Sequence, residues 1–244
     1  MAGHSKWANI RHRKGAQDAK RGKIFTKLIR EITVSARQGG PDETSNSRLR
    51  DAVSKALKAN MKRDTIDNSI KRGVGNLDGA EMVEMRYEGY GPAGVAILVD
   101  CLSDNKNRTV SEVRHAFTKY GGNLGTDGSV AYLFNKQGEI LLVSTPDYER
   151  AMDVAIEAGA DDVLLESDQL EVVTPADSYH TVLAELESAG FEVEASHLTM
   201  RAQTSVDLPA DKLETLEKLI DALEDLDDVQ EVHSNAGFSV DVSG

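Results

Sequence analysis

The sequence predicts an α+β protein: an N-terminal three-helix domain followed by two ferredoxin-like (βαββαβ) modules, one inserted into the other. Three observations lead there. Apolar residues recur at helical spacing from about residue 24 to 72. From Glu81 onward, short runs rich in Val, Ile and Leu alternate with longer helical stretches. The order strand, helix, strand, strand, helix, strand then occurs once whole, between about residues 137 and 199, and once split around it.

In the first helix Phe25, Leu28, Ile29, Ile32 and Ala36 fall at i, i+3, i+4, i+7 and i+11, and Gly39 and Gly40 can end it. At about 100° per residue, Lys20, Lys23, Lys27, Arg30 and Arg37 lie roughly opposite that apolar face. A second helix over Ser47 to Asn60 aligns Leu49, Ala52, Val53, Ala56 and Leu57. Asp64 opens a short third one carrying Ile66 and Ile70, which Gly73, Gly75 and Gly79 bring to a stop. Arg48, Arg50, Lys55, Lys58, Lys62, Arg63, Lys71 and Arg72 extend the positive surface of this domain.

Beyond it, residues 94–102 (GVAILVDCL) read as a buried strand. Thr109 and Glu112 form a capping box for a helix to Tyr120, and residues 129–134 return as a strand. Strands at 139–144, 162–167, 170–174 and 191–198 with helices after Thr145-Pro146 and Thr174-Pro175 complete the self-contained unit, each Thr-Pro pair fitting an N-cap followed by proline. The flanks supply strand 203–208, an amphipathic helix over 210–225 with Leu213, Leu216, Ile220 and Leu223 on one face, and strand 229–233. Residues 81–90 and 238–242 are expected as added edge strands. The division is therefore 1–78 for the basic arm and helical domain, 79–136 with 200–244 for the host module, and 137–199 for the insert. Two consecutive domains are the competing parse.

Charge carries the functional signal. Through Arg30 the chain holds nine Lys or Arg against one acid, Asp18, although the whole protein has a net charge of −13. Residues 1–75 carry 18 Lys or Arg and 7 Asp or Glu, a charge of +11, whereas residues 76–244 carry 10 and 34, a charge of −24. Such segregation points to a basic head that grips a polyanion and an acidic remainder that phosphate repels. Gly3, Gly15 and Gly22 interrupt the segment around Trp7, a composition suited to an arm that orders on its ligand, with the indole free to stack on an unpaired base. The candidate nucleic-acid-binding residues are Lys6, Trp7, Arg11, Arg13, Lys14, Lys20, Arg21, Lys23, Lys27 and Arg30. Asn105, Lys106, Asn107 and Arg108, just before the helix capped at Thr109, form a second candidate anion contact. A turn built by Asn and Asp on their own backbone accounts for that loop equally well.

Other classes find less support. Gly121 to Gly128 is glycine-rich but holds no Lys or Arg and follows a helix, so it reads as a helix stop and turn rather than a phosphate cradle. The acids of Asp221 to Asp228 read as a solvated helix face. Cys101 is the single cysteine, and the six histidines show no metal-ligand spacing, so no metal, disulfide or cofactor is expected and the setting reads as cytosolic. No catalytic constellation is visible and no run of apolar residues approaches a membrane span, so neither an enzyme nor a membrane protein is expected. A small-metabolite sensor, using the interface of paired ferredoxin-like units, is the alternative from another class.

The opening MAGHSKWANIRHRKGAQDAKRGKIFTKLIREITVSAR, with KANMKRDTIDNSIKRG, YEGYGPAGVAILV, DNKNRT and GGNLGTDGSVAYLF, closely resembles the YebC/PmpR family, which includes the mitochondrial translational activator of cytochrome oxidase. Residues after about 145 match mainly in pattern. The resemblance implies a cytoplasmic, three-domain, non-enzymatic protein. It implies either a DNA-binding transcriptional regulator or a ribosome-associated translation factor that relieves stalling, and hence DNA or ribosomal RNA as partner. By position, the family's basic N-terminal segment falls on Lys6 to Arg30 and its Asn-rich basic loop on Asp104 to Arg108. A match that starts at Met1 also counts against a cleaved transit peptide.

Overall fold

The structure, a computed structural model, describes residues 17–75, 82–143, 147–166 and 169–237, with side chains from Gly22 onward except that of Glu166. The expected strand at 238–242 and the Thr145-Pro146 cap lie outside these residues.

The helical domain consists of α1 (Gln17–Gly39), α2 (Ser47–Lys58) and α3 (Arg63–Val74). Its core is the set the periodicity selects except for Leu57, which is exposed at the end of α2: Ile32, Ala36, Leu49, Ala52, Val53, Ala56, Ile66 and Ile70 are buried, Met61 is added, and Phe25, Leu28 and Ile29 pack against them. Asn46 makes the corner between α1 and α2. Its Oδ1 accepts from Leu49 N at 3.0 Å, capping α2, while its Nδ2 donates to Ser35 O and Gly40 O at 2.8 and 2.9 Å. α3 runs alongside α1, and at their closest approach a Cβ on Gly73 would stand 2.3 Å from Thr33 O, so only glycine fits there.

The host module holds an antiparallel sheet of order β3-β1-β2-β9, built from β1 (Val83–Tyr90), β2 (Ala96–Ser103), β3 (Asn123–Leu124) and β9 (Val229–Ser234). Two helices, α4 (Lys106–Lys119) and α7 (Ala210–Glu224), cover one face through Ile97, Val99, Val113, Phe117, Leu216, Leu219 and Leu223. β8 (Val206–Asp207) and β10 (Ala236–Gly237) form a separate parallel pair. The insert has β4 (Phe134–Leu142), α5 (Tyr148–Glu157), β5 (Asp162–Glu166), β6 (Gln169–Pro175), α6 (Tyr179–Ser188) and β7 (Val193–Ala202). Its sheet order β5-β6-β4-β7, antiparallel throughout, is that of a split βαβ unit. β4 and β7 pair from Phe134↔Ala202 to Leu142↔Val193. At their base Phe134 and Ala202 pack on Ala96 and Leu98, on the face of β2 that the helices leave open.

Several local expectations change. Residues 131–133 form a 3-10 turn instead of a strand, because the Glu88 carboxylate takes the amides of Gly128, Val130 and Ala131, each at 2.7 Å, away from any ladder. The glycine-rich loop thus does hold an anion, and it is the protein's own. Burial alone would raise the Glu88 carboxyl, but these three donors hold it below the usual range. β1 is interior, since β3 pairs along its far side. The 203–208 strand shrinks to β8. Thr174 and Pro175 stay in β6, paired with Gly138 and Gln137, and α6 starts later, at Tyr179. The helix expected from Thr109 begins at Lys106, because Asn105 caps it by accepting from Arg108 N at 3.1 Å.

Candidate nucleic-acid interface

Lys6, Trp7, Arg11, Arg13 and Lys14 lie outside the described residues, and Lys20 and Arg21 are described only as backbone of α1. Lys23, Lys27 and Arg30 are in view, one helical turn apart on the side of α1 away from its core. They meet the end of α7. Lys23 Nζ donates to Asp225 O at 3.0 Å and stands 3.5 Å from Asp225 Oδ1. Lys27 Nζ donates to Glu224 O at 2.6 Å. Arg30 Nη1 donates to Asp227 O at 2.6 Å and to Asp228 Oδ1 at 3.1 Å. The last carbonyls of a helix lack internal partners and carry the negative end of its dipole, so Lys23 and Lys27 placed there satisfy both needs, while Arg30 reaches the turn beyond the C-cap Asp225.

Asp228 is the centre of this contact. Its side chain is 3% exposed, and its carboxylate accepts from Arg108 Nη2 at 2.8 Å and from Ser103 Oγ and Thr109 Oγ1 at 2.9 Å each, besides Arg30. Burial would raise its carboxyl, yet Arg108, Ser103 and Thr109 hold it below the ordinary aspartate range. The run Asp221 to Asp228 is therefore not uniformly a solvated face, because its last member is a buried acceptor. Nothing in the sequence separates Asp228 from its exposed neighbours, since its donors lie 119 to 198 residues away.

Of the second candidate contact, Arg108 is paired with Asp228 and with Asp104, at 3.0 Å, and Asn105 is engaged as the helix cap. Lys106 and Asn107 are exposed. The two candidate anion contacts thus converge on one carboxylate, beside a cleft of about 550 Å³ lined by Lys23, Arg30, Asp104, Arg108, Asp225 and Asp228.

Elsewhere in the helical domain the cations divide. Arg48 pairs with Glu31 and Glu84, Lys55 with Glu231, and Arg63 with Glu43 and Asp67. Arg37, Lys58, Lys62, Lys71 and Arg72 are exposed, and among the described residues none pairs with a carboxylate. Lys58 and Lys62 flank the α2–α3 turn, while Lys71 and Arg72 close α3. Among the described residues no group of His, Cys, Asp and Glu is placed to hold a metal, and no helix is long and apolar enough to cross a membrane.

Two family models match the chain: residues 5–76 match the TACO1/YebC protein N-terminal domain, and residues 82–236 match the TACO1/YebC second and third domain. A probable transcriptional regulatory protein of Legionella pneumophila (strain Paris) is 72% identical over 239 residues, covering 98% of this chain and 97% of that protein. One of Idiomarina loihiensis, with the same description, is 57% identical over 243 residues, covering 99% and 98%. The crystal structure of a conserved hypothetical protein from Aquifex aeolicus superposes with a TM-score of 0.81 at 43% identity, covering 94% of this chain and 96% of that one. Matched along both its helical and its sheet-forming parts, the chain belongs to the TACO1/YebC family.

Proposed function

We propose that this protein is a cytoplasmic, non-enzymatic regulator of gene expression that binds nucleic acid, with DNA as the first target. The basic N-terminal segment and the open cations of the helical domain hold phosphates, and the acidic modules stay clear of them. One observation carries the reading: residues 1–75 bear a charge of +11 in a chain whose remainder bears −24. Within that head Arg37, Lys58, Lys62, Lys71 and Arg72 stand exposed without carboxylate partners among the described residues. Unpaired surface cations beside a strongly acidic body are suited to a polyphosphate backbone. The relatives named probable transcriptional regulatory proteins support the regulatory half of the proposal.

The test is a salt titration of binding to duplex DNA and to a structured ribosomal RNA fragment. Replacing Lys6, Arg11, Arg13 and Lys14 with Ala should weaken binding across sequences. It should also flatten the slope of log K against log salt by about 0.7 to 0.9 for each phosphate no longer neutralised. Unchanged affinity and slope would remove the basic head from the mechanism. Clearly tighter binding of the RNA would select a ribosome-associated translation factor over a DNA-binding regulator.

A further inference from the structure

Among the described residues the helical domain and the sheet modules share no core cluster. The helical cluster ends at Ile70, and the lowest-numbered members of the other three are Met85, Tyr90 and Ile140, so none draws residues from both sides of 76–81. What joins the two sides is polar: Lys23, Lys27 and Arg30 on the end of α7, Arg48 and Gln38 on Glu84, Lys55 on Glu231 at 2.8 Å, and Asp51 beside His180 at 3.4 Å. Most of these charges are exposed or half-buried and so are held weakly and screened by salt, while the Arg30 contact to buried Asp228 and the buried Val34, one turn beyond Arg30 on α1, are the firmer part. Lys27 illustrates the tension. Burial pushes its ammonium below the ordinary lysine range, with Glu224, Asp225 and Asp227 opposing the fall and Lys23 adding to it.

The surface that α1 docks on is chemically close to a nucleic-acid backbone. It presents a short row of carbonyl and carboxylate oxygens from Glu224, Asp225, Asp227 and Asp228, with the cation row of α1 facing it. From this we infer that the acidic turn after α7 is an internal substitute for phosphates: it occupies Lys23, Lys27 and Arg30 in the free protein, and a phosphodiester polymer displaces it. Binding and release of the helical domain from the host module are then one event. Once α1 is free, its cation row is open to phosphate, as the exposed Lys58 and Lys62 already are. Arg108 remains behind with Asp228, which keeps that buried carboxylate neutralised after Arg30 leaves. The inference rests on the proposed nucleic-acid function for its physiological ligand but not for its mechanics.

Two measurements on the full chain test it. Spin labels at Asn68→Cys in α3 and Thr118→Cys in α4, both exposed positions, report the distance between the helical domain and the host module. Cys101 is 3% exposed and its thiol is pushed up by burial to about 12, so it stays unlabelled. Inorganic polyphosphate, or raising salt from about 0.05 M to about 0.5 M, should lengthen and broaden that distance; an unchanged distribution under both overturns the inference. In the second, Asp225→Asn with Asp227→Asn should raise affinity for a 20-base-pair DNA duplex by ~3- to 10-fold. Glu149→Gln with Asp153→Asn, removing the same charge on α5, should raise it less. Equal effects of the two pairs also overturn the inference. A distance that responds to polyphosphate in a protein that binds neither DNA nor RNA would retain the latch and discard the proposed function. Tight nucleic-acid binding with an unmoved distance would do the reverse.

Discussion

Asp228 accepts from two guanidinium groups and two hydroxyls while almost wholly buried. Removing such an acceptor leaves donors stranded, so Asp228→Ala should cost about 3 kcal/mol, read as a lower urea midpoint. Asp225→Ala, at an exposed neighbour, should stay within about 0.5 kcal/mol. Asp100 makes a pH prediction. Burial would raise its carboxyl, but the His233 ring and the two-pronged Arg86 contact, at 2.6 and 2.9 Å, hold it down at about 2. A depressed carboxylate stabilises the fold at pH above its unfolded value of about 3.9, and that contribution is lost as pH falls through about 2. Asp100→Asn should therefore flatten the decline of stability between about pH 4 and pH 2, as followed by acid titration of circular dichroism. Neither residue was legible as special in the sequence, because what sets each apart is a partner far along the chain.

Elements were legible wherever a local pattern fixed them. The α1 face of Phe25, Leu28, Ile29, Ile32 and Ala36 needed only helical spacing, and α2, α3 and α7 followed in the same way. Strand ends were less readable because competing acceptors decide them. Glu88, arriving from β1, takes three amides and turns residues 131–133 into a 3-10 turn, and Asn105 moves the start of α4 ahead of Thr109. Glu88→Gln keeps the shape but weakens the acceptor, and should speed amide exchange at Gly128, Val130 and Ala131 before it does so in β2. Between α1 and α3 the close contact at Gly73 allows no side chain. Gly73→Ala places a methyl against Thr33 O and Ala36 and should destabilise the helical domain by ~1–3 kcal/mol, seen as a fall in helical signal at lower urea.

For the molecule as a whole, the charge split that marks the basic head is plain in the sequence, but its distribution in space is not. Lys23, Lys27 and Arg30 belong to the basic run by composition and to the α7 contact by geometry, whereas Lys58, Lys62, Lys71 and Arg72 remain open. Sequence spacing shows which cations share a helix face; only the fold shows which of them face an acid. The nested order of the two sheet modules was readable because helix and strand periods alternate regularly. That β4 and β7 run beyond residues 137–199, to Phe134 and Ala202, was not, since no turn residue marks where one module ends.

Those two strands have a calorimetric consequence. Phe134 and Ala202 at one end of the ribbon belong to the junction core, while Ile140, Leu142 and Leu198 at the other belong to the insert. The insert cannot melt without uncovering Ala96 and Leu98 on the open face of β2, so the nested pair should give a single endotherm. The helical head shares no strand with either and should appear as a separate, smaller peak at lower temperature, shifting with ionic strength while the main one stays put.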